Sequence, residues 1–157
     1  MKRAFLFLIL VPCAFLSCTT IDLYEKHVTI PGHAWKNSFK PSFKFTIKDT
    51  TSPYQLYFII RHGEKYNYNN IYINFYSQGN EGDSTQKARF DLTLATHEGW
   101  LGSGMDDIYE HRIPITPTGE AFYFRRSGDY QFTVEQIMRE DPLQHVYDVG
   151  LRIEKKN

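Results

Sequence analysis

The stretch YQLYFIIR, residues 54–61, decides the fold because its apolar side chains occupy both faces of an extended chain. Successive side chains of a strand point to opposite faces of the sheet. Tyr57 and Ile59 therefore lie opposite four further apolar side chains, Tyr54, Leu56, Phe58 and Ile60. A strand with apolar groups on both faces is typical of the middle of a sheet, so we predict a central strand here.

Segments in which apolar and polar residues alternate lie on both sides of this stretch. A period of two predicts strands with one buried face, because every second side chain points the same way. The segments are SFKFTI (42–47), NNIYINFYS (69–77), KARFDLTLA (87–95), GDYQFTVEQIM (128–138) and YDVGLRIE (147–154).

Less regular segments lie between these strands. IYEHRIPI (108–115) and EAFYFRR (120–126) are also predicted to be extended. VEQIMRE (134–140) is the one place where a helical turn competes with a strand. Turns rich in Pro, Gly and Asn separate the segments.

This pattern predicts an all-β fold. Aromatic residues make up 16% of the chain, with 12 Phe and 11 Tyr, and flat rings pack well on pleated sheets. About eight short strands with turns between them predict an antiparallel β-sandwich, either jelly-roll-like or immunoglobulin-like. Consecutive strands from residue 54 to residue 95 are expected to follow one another as a meander.

Length and charge narrow the classes of protein. The 157 residues suit one domain with a sizeable core. Lys and Arg together number 18, as do Asp and Glu, so the chain lacks the basic surplus of nucleic-acid-binding proteins. We therefore expect no nucleic-acid partner.

The N-terminus is typical of an export signal that ends at a lipidation site. Lys2 and Arg3 precede an apolar run over residues 4–16, which is shorter than the roughly 20 residues of a membrane span. The run ends in FLSC (15–18), which resembles a bacterial lipobox with Cys18 as the acylated residue. The alternative is that Cys18 is a disulfide partner or an inert buried thiol.

These features predict three parts of the chain. Residues 1–17 form a signal peptide that is removed, and residues 18–27 form the lipidated N-terminus and a tether. Residues 28–157 form the β-sandwich domain. Stable anchoring takes two or more acyl chains, as acylation of both the sulfur and the new amine of Cys18 would supply.

Catalytic and metal-binding motifs are nearly absent from the sequence. The six His residues show none of the spacings of known metal motifs, so we predict no metal site, no cofactor and no enzymatic activity. The richest cluster surrounds Asp106 and Asp107, which could bind a hard cation or act as an acid–base pair. The alternative is a glycine-built corner in which Trp100 and Leu101 pack as a plug.

A second candidate surface consists of tyrosine and asparagine side chains. Tyr rings stack on sugars and are also enriched at protein interfaces, whereas the plain alternative is that the rings face a second sheet. The candidate residues are Tyr57, Tyr66, Tyr68, Tyr72, Asn74 and Tyr76.

Several segments, taken in order, resemble the GldH family of gliding-motility lipoproteins from Bacteroidetes. They are FLSC (15–18), IPGHAWKNS (30–38), SPYQLYFIIRH (52–62), GWLGSGMDDIYEHRIPI (99–115), GDYQFTVEQIMRE (128–140) and DVGLRIEK (148–155). The resemblance covers essentially the mature chain. It implies a lipoprotein of the cell envelope and supplies no catalytic residues.

The motif residues are expected to be mainly structural, since Gly permits unusual backbone angles and Trp and Tyr fill cores. Asp148 and Arg152 of the closing motif are expected to form pairs across strands. The remaining motif residues are Gly99, Trp100, Leu101, Gly102, Gly104, Gly128, Tyr130, Gln136, Met138 and Arg139.

The resemblance and the residue patterns together predict a non-enzymatic envelope lipoprotein. It is expected to be held in the membrane lipid by Cys18 and to contact other gliding or secretion proteins. The alternative is a lipid-anchored carbohydrate-binding module. Thr19 is not the aspartate that retains some lipoproteins at the inner membrane, so we expect the periplasmic face of the outer membrane.

Overall fold

The computed structural model describes residues 23–156, with the exception of residues 81 and 118. The predicted signal peptide and Cys18 lie outside the described residues. Among the described residues, no helix is both long and apolar enough to span a bilayer.

Within the described residues, eight strands of six or more residues build two large sheets, and every pairing between them is antiparallel. These strands are β1 (Leu23–Thr29), β3 (Ser42–Ile47), β4 (Tyr54–Gly63), β5 (Asn70–Gln78), β6 (Gln86–Thr93), β10 (Ile108–Pro114), β11 (Gly128–Gln136) and β13 (Val146–Lys155).

Shorter elements fill the connections. A 3-10 turn covers Pro31–His33. The short strands are β2 (Ala34–Trp35), β7 (Ala95–Thr96), β8 (Gly99–Trp100), β9 (Ser103–Met105) and β12 (Leu143–Gln144).

The strand order is that of a jelly roll. One sheet has the order β1-β13-β4-β10-β9, and the other has the order β3-β11-β5-β6. Counted in chain order, the eight long strands lie as 1-8-3-6 in the first sheet and 2-7-4-5 in the second. The β-sandwich prediction is therefore confirmed, and of its two forms the jelly roll is the one observed.

The predicted meander is wrong except for the hairpin of β5 and β6. Strand β4 lies in the five-stranded sheet and β5 in the four-stranded sheet, so the chain crosses between the sheets after residue 63. Alternation shows which side chains share a face, but it does not show which sheet a strand joins.

The core lies between the two sheets and is rich in aromatic rings. Phe132 of β11 packs edge-on against Phe45 at 5.0 Å and against Phe75 at 5.1 Å between ring centroids. Phe124 and Tyr54 extend this layer toward one end of the sandwich, with ring centroids 5.1 Å apart. All five side chains are buried, and Phe45 also packs against Tyr24 of β1 at 5.2 Å, so aromatic rings form part of the contact between the sheets.

Strand β4 is central, as predicted, because it pairs with β13 on one side and β10 on the other. Its inner face enters the core through Leu56, Phe58 and Ile60. On the outer face, Ile59 is fully buried although it lies outside the core cluster.

Two boundaries differ from the sequence prediction. Residues 23–27, assigned to the tether, belong to β1, which pairs with β13 from Leu23 to Thr29. The predicted tether includes too many residues, because an edge strand with charged outward residues shows little alternation. EAFYFRR is not a strand, and only Phe122 forms a bridge, to Tyr54.

The competition at VEQIMRE is resolved in favour of a strand. Val134 and Gln136 belong to β11, and no described helix follows them.

Replacing Phe132 with alanine should destabilise the domain by about 3–5 kcal/mol, because it leaves a cavity between the sheets. The matched control is Tyr123→Ala, which removes an exposed ring and should change the free energy of unfolding by less than about 0.5 kcal/mol. Urea denaturation measures both variants. Equal effects of the two changes would contradict the role given to Phe132.

Candidate interaction surface on the four-stranded sheet

The predicted tyrosine and asparagine set divides over the two sheets. Tyr72, Asn74 and Tyr76 of β5 point away from the core on the outer face of the four-stranded sheet. Tyr57 lies on the outer face of the other sheet, because β4 belongs to that sheet. These residues therefore do not form one surface.

Two further candidates lie elsewhere. Tyr66 is only 4% exposed and packs against His62, with 4.9 Å between ring centroids, so its assignment to a surface is wrong. Its hydroxyl donates a hydrogen bond to the Asn70 carbonyl at 3.0 Å. Tyr68 lies in the loop after β4 and contacts the Tyr66 ring edge-on at 5.9 Å.

The outer face of the four-stranded sheet, centred on Tyr72 and Tyr76, is called the tyrosine face below. Antiparallel pairing aligns its side chains in rows across three strands, β11, β5 and β6. One row is Thr133, Tyr76 and Lys87, and the next is Glu135, Asn74 and Arg89.

The carboxylate of Glu135 contacts three other side chains of this face. The Asn74 amide donates to this carboxylate at 3.0 Å, and the Tyr76 hydroxyl donates at 2.6 Å. Lys40 forms a salt bridge to the same carboxylate at 2.8 Å. These contacts, with the Asn74 hydrogen bond first, lower the pKa of Glu135 to about 2. Asn74 is itself buried, so it orients Glu135 and is not a contact residue.

Cationic groups surround the two tyrosine rings. Lys40 Nζ and Lys87 Nζ lie 5.7 and 5.6 Å from the centroid of the Tyr76 ring. The guanidinium carbon of Arg89 lies 5.3 Å from the centroid of the Tyr72 ring. The salt bridges of the described residues do not include Lys87 or Arg89. The face therefore offers cations next to aromatic rings.

Two shallow polar grooves cross the same face. The larger has a volume of about 560 Å³ and includes Lys44 and Asp129. The smaller, of about 260 Å³, includes Tyr76. Both grooves are lined by Gln78 and Gln131, so they meet at these amides.

The glycine-rich motif builds a packed corner at the opposite end from Leu23. Trp100 lies against the His62 ring at 4.4 Å. A Cβ on Gly102 would lie 2.4 Å from the Glu110 carbonyl, and one on Gly104 would lie 2.8 Å from the Tyr109 ring. Gly102 therefore has no room for a side chain against the backbone, whereas a side chain at position 104 would force the Tyr109 ring to move.

Leu101, Asp106 and Asp107 of this motif are exposed. Leu101 is 60% exposed, so the expectation that it packs as part of a plug is wrong. Asp106 and Asp107 form the two-residue turn between β9 and β10, with φ of 51° and 61°. Within the described part of the chain, no three metal-ligating side chains come together.

Beneath Trp100 lies a buried histidine pair that the sequence analysis did not identify. The Nδ1–H of His62 donates to the Gly63 carbonyl at 2.8 Å, which leaves its Nε2 as an acceptor. His111 Nε2 lies 2.9 Å from that atom and donates to it. Burial lowers the pKa of His62, and it lowers the pKa of His111 to about 4. The alternation of Leu56, Phe58 and Ile60 continues inward to His62 and was the available signal.

Motif residues in the penultimate segment also make structural contacts. Gln136 is fully buried; its amide donates to the Trp35 carbonyl at 3.1 Å and accepts from the Met138 amide at 2.8 Å. The Tyr130 hydroxyl donates to the Arg126 carbonyl at 2.7 Å. Gly99 and Gly128 have positive φ, which favours glycine. Arg139 is exposed.

The closing motif forms cross-strand pairs, but Asp148 and Arg152 do not pair with each other. Asp148 contacts His27 at 2.9 Å and Arg61 at 3.2 Å, on the two neighbouring strands. Arg152 contacts Glu25 of β1 at 2.7 Å. These pairs cover the outer face of the five-stranded sheet.

Comparison with known proteins identifies relatives over nearly the whole chain. The family model described as GldH lipoprotein matches residues 22–153. A protein of Christiangramia forsetii named gliding motility lipoprotein GldH homolog is 29% identical over 153 residues, covering 91% of this chain and 90% of the relative. The gliding motility lipoprotein GldH of Flavobacterium johnsoniae is 26% identical over 158 residues, covering 96% and 95%.

Glu135 should stabilise the fold in a pH-dependent way. Its carboxyl titrates at about pH 4.5 in the unfolded chain and about pH 2 in the folded chain. Its contribution is therefore complete above pH 4.5 and is lost as the pH falls through 2. Wild type should exceed Glu135→Gln in free energy of unfolding at pH 6, and the difference should shrink toward pH 2. A difference independent of pH would contradict stabilisation by the ionised carboxylate of Glu135.

The histidine pair predicts a second pH effect. Unfolded histidine binds a proton near pH 6.5, whereas folded His111 stays neutral to about pH 4. The contribution of His111 to stability is therefore complete above pH 6.5 and is lost as the pH falls to about 4, by on the order of 3 kcal/mol. Thermal unfolding of His111→Gln should show a weaker decline. Substitution of exposed His97 by Gln should leave the decline unchanged; if it removes the decline, His111 is not the cause.

Proposed function

This chain belongs to the GldH lipoprotein family, which makes it a gliding-motility lipoprotein of the cell envelope, and we propose that it works by binding another envelope protein through the tyrosine face. The binding contributes to gliding or to the protein secretion that accompanies it. The lipid anchor is Cys18, and the domain faces the periplasm from the outer membrane.

The observation that carries this proposal is the arrangement of cations and rings on the tyrosine face. Lys87 and Arg89 stand beside Tyr76 and Tyr72 without a salt bridge among the described residues. Tyrosine and arginine are the residue types enriched at protein interfaces. A partner with acidic groups would satisfy both the charges and the rings.

The rigidity of the face supports the same proposal. Glu135 holds Tyr76 and Lys40 in place through short contacts, so binding would cost little side-chain entropy. Most of this face consists of strand residues, which are positioned more firmly than loop residues.

We also propose that the protein is not an enzyme. The titratable pair with the largest burial, His62 and His111, lies beneath Trp100 and is already hydrogen-bonded internally. Asp106 and Asp107 lie in an exposed turn.

A second candidate function is carbohydrate binding on the same face. The observation that favours it is the polar lining of the two grooves, where Gln78 and Gln131 lie near the Tyr76 ring. Amides bind sugar hydroxyls, and a ring can stack on a sugar face. A glycan array separates this function from the first, because saturable sugar binding lost in Tyr72→Ala/Tyr76→Ala would overturn the protein-interaction proposal.

Charge reversal on the tyrosine face should weaken binding of the partner. Lys87→Glu/Arg89→Glu changes two exposed residues of edge strand β6 and leaves Glu135 and its contacts intact. After cross-linking in the native envelope, the tagged, lipidated double variant should retain at least about tenfold less partner than wild type, which corresponds to about 1.4 kcal/mol.

The matched control is Lys26→Glu/Lys65→Glu, which makes the same change in charge at two exposed positions, one on β1 of the other sheet and one in the loop after β4. It should retain the partner at the wild-type level. Equal retention by both double variants, or failure of the wild-type protein to retain any envelope protein, would refute the proposal.

A further inference from the structure

One end of the sandwich carries three exposed apolar side chains. Leu23 is 53% exposed, Phe122 is 37% exposed and Tyr123 is 57% exposed. Phe122 and Tyr123 are adjacent in the chain. Large apolar residues that share one end of a domain are a more informative feature than single exposed residues scattered over a surface.

Strand register places these residues at the same end. Leu23 begins β1 opposite Glu154 of β13, and the following residue, Lys155, lies opposite Tyr54. Phe122 pairs with Tyr54 through two backbone hydrogen bonds of 2.8 and 2.9 Å. Leu23 and Phe122 thus lie in neighbouring rows across the sheet, a few strand spacings of about 4.8 Å apart.

The chain approaches the domain from this end. Cys18 precedes Leu23 by five residues, and five residues span at most about 17 Å at full extension. An acyl chain on Cys18 therefore keeps this end of the domain within about 17 Å of the membrane. This step rests on the proposed lipid anchor.

We propose that this end lies directly on the lipid surface, with Leu23, Phe122 and Tyr123 in the headgroup region. Tyrosine is enriched at the membrane–water interface, where its ring meets the acyl boundary and its hydroxyl stays hydrated. Phenylalanine and leucine bury apolar area in the same zone. The anchor and the apolar end then act together, as two signals on one side of the molecule.

The aromatic platform is rigidly supported from below. Phe122 packs edge-on against Phe124 at 4.9 Å, and buried Phe124 packs against Tyr54 at 5.1 Å. Phe122 is therefore presented by the core and does not need to be ordered on contact with lipid. The Tyr54 hydroxyl also donates to the Asp49 carbonyl at 2.9 Å, which fixes the adjacent loop.

Some of the charges at this end form ion pairs. Lys155 pairs with Asp49 at 2.7 Å, and Arg126 pairs with Asp83. Exposed Arg125 is close in sequence to exposed Glu120. Lys48 and Lys156 are also exposed at this end, so anionic headgroups should add to the apolar contact with lipid.

The opposite end of the sandwich cannot make the same contact at the same time. Leu101 and Met105 are exposed beyond the far end of β4, and the ten residues of that strand span about 33 Å. With the strands standing on the membrane, the tyrosine face points sideways and stays accessible to a partner.

Tryptophan fluorescence in vesicles tests the contact. The mature lipidated chain carrying Tyr123→Trp is reconstituted into phosphatidylcholine vesicles whose acyl chains carry bromine, which quenches nearby indoles. We expect about a twofold loss of the added fluorescence relative to unbrominated vesicles, because the ring lies at the interface. Wild type supplies the background from Trp35 and Trp100.

Leu101→Trp is the matched control, since Leu101 is 60% exposed and Tyr123 is 57% exposed. Its added fluorescence should not be quenched. If the protein floats with the vesicles but position 123 is unquenched, or is quenched no more than position 101, the inference fails and the anchor stands. If the protein does not float, the anchor fails, and the inference fails with it.

Discussion

Packing of the two sheets through one layer of aromatic rings is the contact on which the rest of the structure depends. Phe132 lies between Phe45 and Phe75, and Phe124 continues the layer to the end where the chain enters. Edge-to-face rings fill this space densely and add to the free energy of apolar burial. Because the inner faces meet in this way, polar side chains lie on the outer faces. Each outer face carries a network of ion pairs and hydrogen bonds.

The two outer faces differ in what they can offer a partner. On the five-stranded sheet, Glu25, Arg152 and Asp148 pair with neighbours on adjacent strands. On the tyrosine face, Glu135 forms a salt bridge with Lys40, whereas Lys87 and Arg89 lie next to aromatic rings. Cations next to rings are available to an incoming acidic group, which is why we propose this face, and not the other, as the binding surface.

Much of the fold was predictable from alternation, and topology was not. Leu56, Phe58 and Ile60 identified a central strand because its opposite face was also apolar. Nothing in that pattern shows that β4 and β5 join different sheets, so the meander and the shared tyrosine surface were wrong. Strand β1 was missed because its register depends on backbone pairing with β13 more than on an apolar stripe. Tyr66 is buried because the ring of Trp100, which is distant in sequence, packs beside it together with the nearby His62.

A photoreactive amino acid introduced at single positions in living cells tests binding through the tyrosine face most directly. Placed at position 87 on β6, it should form a covalent adduct with one envelope protein on irradiation. Placed at position 57, on the outer face of the opposite sheet, it should form none. An adduct at position 57 without one at position 87 would contradict binding through the tyrosine face, as would the absence of an adduct at position 87 in cells that contain the folded, anchored protein.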